Sequence, residues 1–362
     1  YRTESAAAWG GGIAGGGVVS ICEKEKRESE MKKLGCMLMA VLMAVAVSGC
    51  SDKKEASENK ETEKKVTLIL DYLPNTNHTG FYVAKEKGFF KEEGLDVDII
   101  EPGDDSTSAT LVAANKGEFG VSYQEDVTYA RTAEEPLPIR AIATIIQHNT
   151  SGFVSLKKEN IKSPKDFEGK VYAGWQAPSE EAVVKAVMTA AKADFSKLTM
   201  VGADGSGFAS LGKSVDIQWE FEGWAVTKGR MEGYDLKYIP LRELDERLDY
   251  YTPVIITSEK MIKEDPETVQ KFMNAVKKGY EYAIEHPDAA AEILSKYAPD
   301  YDLKFLKESQ KYLSSEYARD ADSWGVMKDS VWDNYTAFMY ENKLITEKIK
   351  ADEQYTNEFV TK

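Results

Sequence analysis

From Val66 onward the chain alternates short apolar runs with longer stretches of helical spacing. "VTLIL" (Val66–Leu70) is a continuous β-prone run suited to a buried parallel strand. "TGFYVAKEKGFF" follows as a helix whose Phe81, Val83 and Ala84 share a face, closed by Gly88. "LDVDII" (Leu95–Ile100) reads as a second strand. "STSATLVAANKG" reads as a helix with Ser106 or Thr107 at its start and Gly117 at its stop. "EFGVS" is a third strand and "LPIRAIATII" holds a fourth. Strands separated by helices in this way predict an α/β fold with parallel sheets.

A second unit of the same kind starts near Gly152: strand "GKVYAGW", amphipathic helix "PSEEAVVKAVMTAAKA", strand "LTMVGA". "TLVAANKGEFGVSYQEDVTYA" in the first unit parallels "GFASLGKSVDIQWEFEGWAV" in the second. Each runs from a helix end through a turn and a short strand to an aromatic residue among acids. One such pair hints at a device used once per lobe. After "YYTPVIITSEKMI", an apolar strand with a proline, the chain is almost wholly helical. Pro266 is expected in a first helical turn and Pro287 after a helix end.

The N-terminus has a different character. Residues 1–30 begin with Tyr, contain "GGGIAGGG", and end in "EKRESE", which purine-rich DNA before a start codon would encode. They read as a gene-calling extension ahead of Met31. From Met31 to Gly49, two lysines, an apolar core and a small-residue end form a signal-peptide pattern. Val47-Ser48-Gly49-Cys50 resembles the bacterial lipobox, which makes Cys50 the expected lipidation site. Residues 50–65 then form a polar tether with almost nothing to bury.

A chain of 362 residues accommodates two lobes. Its formal charge of −15 offers no basic surface to neutralise phosphates and argues against nucleic-acid partners. The three cysteines, Cys22, Cys36 and Cys50, leave Cys50 alone once the leader is removed, so no disulfide framework is expected. The three histidines, His78, His148 and His286, show no metal-ligand spacing, and "GADGSG" lacks the Lys-Ser/Thr of a phosphate loop. No metal or cofactor is expected.

"LDYLPNTNHTGFYVAKEKGFFKEEGLDV" resembles the signature of the thiamine-pyrimidine-precursor binding lipoproteins of ABC importers, a family related to the fungal thiamine-pyrimidine synthase. "GDDSTSATLVAANKGEFGVSYQEDV", "GKVYAGWQAPSEEAVV" and "YYTPVIITSEKMIKEDPETVQKFMNAVKKGYEYAIEHP" extend the likeness. The resemblance implies a two-lobed periplasmic-binding-protein type II fold, each lobe a mainly parallel sheet flanked by helices, with a helical C-terminal region. Residues 66–150 plus 253–362 would form lobe 1 and residues 151–252 lobe 2. It implies a monomer, lipid-anchored at the outer face of the cytoplasmic membrane, that captures a formylamino- or hydroxymethyl-pyrimidine and delivers it to a permease with its ATPase. Riboflavin-type heterocycles and sulfonates are the alternative solutes. A synthase-like enzyme is the remote alternative. Asp249-Tyr250-Tyr251-Thr252-Pro253 has no cysteine where the fungal family carries a cysteine-rich segment thought to hold iron.

Within this frame Asn75, Thr76, Asn77 and His78 are candidates for one wall of the cleft, where capping and turn formation compete with ligand contact. His78 matches in position the synthases' nitrogen-donating histidine. Tyr123 and Gln124 mark the corresponding corner of the first unit, with Glu125 beside them. Trp219, Glu220 and Glu222, with Phe221 and Trp224, form the densest aromatic–acid cluster; Trp175 and Tyr72 are further stacking surfaces. A flat aminopyrimidine needs an aromatic plate and an acceptor for its N–H groups, and Trp219 with Glu222 is the favoured pair.

Overall fold

The computed structural model describes residues 63–103 and 106–361. Its strands are β1 (Lys64–Ile69), β2 (Leu95–Ile100), β3 (Phe119–Ser122), β4 (Ile139–Thr144), β5 (Ser151–Leu156), β6 (Val171–Gly174), β7 (Thr199–Gly202), β8 (Ile217–Phe221), β9 (Leu236–Pro240) and β10 (Val254–Ser258). They form two five-stranded sheets, ordered β2-β1-β3-β10-β4 and β7-β6-β8-β5-β9. β1 pairs in parallel with β2 and β3, and β6 with β7 and β8. Each sheet also takes one antiparallel strand at the point where the chain crosses over. β5 enters the second sheet against β8 and β9, and β10 re-enters the first against β3 and β4. Hydrophobic runs such as "VIITS" show that a strand is buried, but its direction depends on the path of the connection.

The helices are α1 (Thr79–Glu86), α2 (Phe89–Glu92), α3 (Ser108–Ala113), α4 (Gln124–Thr132), α5 (Pro178–Ala190), α6 (Thr227–Met231), α7 (Glu259–Glu264), α8 (Pro266–Glu285), α9 (Pro287–Leu294), α10 (Leu303–Glu316), α11 (Asp329–Glu341) and α12 (Ala351–Gln354). The helix after β1 closes at Gly88 as expected, and past that residue's left-handed turn (φ 80°) the short α2 follows. Thr107 caps α3 by accepting the Thr110 N–H, and the helix stops at Ala113, before Gly117. Pro287 follows α8 and also opens α9.

The first sheet is covered by α1, α8, α9 and α10. Their apolar faces join Leu68, Phe119 and Ile255 in one core, with Phe119 stacked on Phe272 at 3.8 Å. Helices α1 and α8 meet through paired glycines. A Cβ on Gly279 would lie 2.0 Å from the Gly80 carbonyl oxygen, so only glycine allows that approach. The second sheet packs Phe153, Tyr172, Ile217 and Trp219 on α5, and its core continues into Tyr335, Phe338 and Met339 of α11.

The two crossovers are tied together. The Asn149 N–H donates to Asp249 Oδ1 at 2.8 Å, Asn149 Nδ2 donates to the Leu248 carbonyl at 2.8 Å, and His148 Nδ1 lies 2.6 Å from Asp249 Oδ2. Asn149, Thr150 and Ser151 are buried in this junction. Among the described residues no helix is long and apolar enough to cross a membrane. The extension, leader, Cys50 and most of the tether lie outside the described residues.

Candidate functional site

The carboxyl ends of β1 and β3 face those of β6 and β8, which is where open α/β sheets place their ligands. The loops after these strands carry nearly all the candidate residues.

After β1 the chain passes through Asp71 and a single 3-10 turn, Thr76–His78. Asn75 caps that turn: its Oδ1 accepts the Asn77 N–H at 2.9 Å, and its Nδ2 donates to the Leu73 carbonyl at 2.9 Å. The Asn75 N–H reaches His78 Nδ1 at 3.3 Å. An acceptor at Nδ1 puts the ring proton on Nε2, which points at Asp71 Oδ1 from 2.6 Å. The Tyr123 hydroxyl donates to the other Asp71 oxygen. Burial alone would raise the Asp71 carboxyl, yet the attraction and hydrogen bond of His78 and the hydrogen bond of Tyr123 hold it below the usual carboxylate range.

Behind the turn, Thr76 Oγ1 meets Ser309 Oγ at 2.7 Å, and Tyr280 OH donates to the Asn77 carbonyl at 2.6 Å. Thr76 and His78 are wholly buried. Among the four adjacent candidates, only the half-buried Asn77 side chain makes no hydrogen bond to another described residue. The Pro74–His78 run is therefore mainly a turn bolted to α8 and α10. Gln124 is also buried: its Oε1 accepts the Tyr251 N–H at 2.8 Å and its Nε2 donates to the Val331 carbonyl at 3.1 Å. One end of that amide ties to the crossover and the other to α11, so both are engaged within the chain.

On the opposite side, Trp175 follows β6 and Trp219 lies in β8, their ring centres 5.0 Å apart. Trp219 is mostly core, edge-on to Phe153 at 5.8 Å, while Trp175 is half exposed. The register Ala173↔Gln218 brings β8 alongside β6, and Glu220 lies near enough to Tyr172 of β6 to help push its hydroxyl up. Glu220 is half-buried and has no hydrogen-bond partner among the described residues; burial pushes its carboxyl up to about 8. Glu222, the acid favoured from the sequence, is engaged elsewhere. Tyr312 OH of α10 donates to its Oε2 at 3.1 Å, and Arg230 Nη1 lies 3.1 Å from its Oε1. The backbone leaves β8 into a π-helical turn, Glu222–Val226, and this swings Glu222 and Trp224 against α10.

Three acids that the sequence did not single out complete the site. Asp71 is the first, and Asp126 is the second. Burial, and then the neighbouring Glu125, push the Asp126 carboxyl up to about 7. Glu180 is the third, folded back under Trp175. Glu125 bridges the lobes by accepting from Ser179 at the start of α5 and from Tyr335 OH, and burial pushes its carboxyl up. What these residues share is a place two to six positions beyond a strand's carboxyl end, a signal that position alone could have found. Among the described residues no group of three or more His, Cys, Asp or Glu side chains is placed to hold a metal ion. The ends of these strands thus gather acidic and aromatic side chains.

The formylaminopyrimidine-binding protein of Halalkalibacterium halodurans is 25% identical over 331 residues, spanning 88% of this chain and 98% of the relative. A 4-amino-5-hydroxymethyl-2-methylpyrimidine phosphate synthase of Legionella pneumophila is 21% identical over 310 residues, spanning 82% of this chain and 93% of the relative. Among solved structures, the periplasmic aliphatic sulphonate binding protein SsuA of Escherichia coli superposes with a TM-score of 0.63 at 10% identity, covering 80% of this chain and 91% of that one. The fold is that of periplasmic binding proteins. Residues 75–290 match the NMT1/THI5-like family, and the chain belongs to it.

Proposed function

We propose that this chain is the solute-binding component of an ABC importer and captures a thiamine pyrimidine precursor between its lobes. The observation that carries this reading is the Glu220 carboxyl near the end of β8, half-buried and with no hydrogen-bond partner among the described residues; Trp175, beyond the end of β6, is taken as the stacking plate. An aminopyrimidine supplies the missing partners, its amino N–H donating to the carboxyl and its ring nitrogen accepting the carboxyl proton that the raised value retains, and it stacks on the indole. The formylaminopyrimidine-binding relative supports the choice of ring. Glu220 with Trp175 replaces Glu222 with Trp219 as the proposed contact pair, because Tyr312 and Arg230 hold Glu222. Asn77, Tyr123 and Asp126 would complete the opposite wall.

The lobes in this reading are residues 66–150 plus 253–362 and residues 151–252, hinged at the Asn149–Asp249 junction. A lipid on Cys50 would hold the monomer at the outer membrane face, within reach of its permease and ATPase. The relatives include both binding proteins and synthases. Binding is favoured because the His78 ring is fully buried with both nitrogens engaged, which leaves it no route to a substrate.

The test is a thermal-shift screen of the full chain against aminopyrimidine precursors, thiamine, riboflavin and small sulfonates. A ligand that binds only the folded state raises the melting temperature with occupancy. A shift with aminopyrimidines alone is expected. A shift with riboflavin or sulfonates instead would sink this choice of solute.

A further inference from the structure

We infer that Glu180 is a built-in anion: its carboxylate occupies a ready-made anion nest on the second sheet's side of the cleft and so excludes sulfonate- and phosphate-type solutes. This selectivity role rests on the reading of the cleft as an aminopyrimidine site.

The loop after β6 has the shape of an anion-binding nest. Gln176 takes a left-handed conformation (φ 63°), which turns successive backbone N–H groups toward one point. That point lies at the start of α5, whose 13 residues add the positive end of a helix dipole. In many proteins such a place holds a bound anion. Here Glu180 Oε1 accepts Tyr172 OH at 2.6 Å and the Trp175 N–H at 3.1 Å, and Oε2 accepts the Gln176 N–H at 2.6 Å. The Ala177 N–H also donates to it. Every one of these partners is a donor, the pattern an ionised, acceptor-only carboxylate requires. Burial pushes the Glu180 carboxyl up, and the donors oppose that shift.

The strand end is built around the same group. A Cβ on Gly174 would sit 1.5 Å from Glu180 Oε1, so the carboxylate takes the space that any other residue's side chain would fill. Glu180 itself is 1% exposed. The nest adjoins Trp175, which belongs to the same loop, and Ser179, next to Glu180, bonds Glu125 beyond β3; in the proposed reading this is the ligand side of the loop. A sulfonate or phosphate arriving there meets filled donors and a resident negative charge. An uncharged or cationic ring stacking on Trp175 meets neither obstacle. The same general fold serves sulfonate binders, so the occupant of this nest is a sufficient basis for choosing between the two solute classes.

The experiment titrates inorganic phosphate and methanesulfonate into the full chain and its Glu180→Ala variant, read by thermal shift and by Trp175-sensitive fluorescence. Saturable anion binding at least tenfold tighter in Glu180→Ala than in the parent is expected. A folded Glu180→Ala chain with no gain overturns the inference, and so does saturable anion binding by the parent. Glu180→Gln fills the same space without the charge and should gain less than threefold. A gain equal to that of alanine would mean that charge repulsion, not occupancy of the nest, does the excluding. Should the alanine variant fail to fold, the parent and glutamine arms still decide. Absence of any aminopyrimidine response in the parent would instead remove the proposed solute and leave the anion arms to be judged separately.

Discussion

The two walls of the cleft are built to different rules. On the first sheet's side Asp71, His78 and Tyr123 satisfy one another, and Asn75 closes its own turn. On the second sheet's side Trp175 is half exposed and Glu220 has no hydrogen-bond partner among the described residues. The Asp71–His78–Tyr123 group is a finished network that holds shape, whereas Glu220 keeps open valences. Buried polar groups bonded to each other rigidify a structure, whereas an unbonded acid in a low-dielectric cleft is costly until something pairs with it. Polar residues in a row are therefore a poor guide to the side that binds.

The comparison can be broken most decisively at Asp71. Asp71→Ala strands the His78 ring proton and the Tyr123 hydroxyl in the interior, and a broken buried pair costs on the order of 3 kcal/mol. Thermal unfolding should shift down by roughly 5 °C; an unchanged transition would show that the first wall is not held by this network. Next comes Glu220→Ala, which removes the open acceptor. Calorimetric affinity for an aminopyrimidine should fall about tenfold, as expected for a lost hydrogen bond. Full retention of affinity would place the ring elsewhere. Trp175→Ala should weaken binding about tenfold through lost stacking, and an equal loss from Trp219→Ala alone would reverse their assigned roles.

The pH response sharpens the contrast further. Asp126 and Glu220 are raised in the folded state, to about 7 and about 8. The folded chain therefore binds more protons than the unfolded one above the ordinary carboxylate range, and these two groups cost stability progressively as pH climbs toward 8. Asp71 has the opposite sign: its folded value is depressed, so its contribution is present at neutral pH and is lost on acidification through that lowered value. Unfolding temperatures measured from pH 5 to 9 should decline on the alkaline side, and Glu220→Gln should flatten that decline. An equally steep decline in the variant would assign it to other groups. The smallest effect is expected at Glu222→Ala. Its carboxylate serves Tyr312 and the exposed Arg230, so affinity should change less than threefold; a tenfold loss would restore it to the ligand wall.

Much of the fold was legible because burial leaves a periodic mark. "LDVDII" and "EFGVS" announce β2 and β3, and the apolar face of "PETVQKFMNAVKKGYEYAIE" announces α8. The site was legible only as a neighbourhood. Glu220 and Glu222 carry the same side chain two residues apart, and nothing local distinguishes them. A π-helical turn begins at Glu222 and aims it at α10, while Glu220 stays within β8. Gln124 and Thr76 look like ligand donors until partners from residues 251, 331 and 309 consume them. Glu180 reads as an ordinary first-turn acid, and its nest exists only because Gln176 turns left-handed beside a bare Gly174.

By itself, then, the amino-acid order determined which segments are buried, where strands give way to helices, and which family the chain resembles, since these depend on local periodicity and motif. Which polar groups remain unbonded is a property of contacts between residues far apart in the chain. Only the tertiary structure decided it, by spending the hydrogen-bonding capacity of one wall and leaving that of the other open.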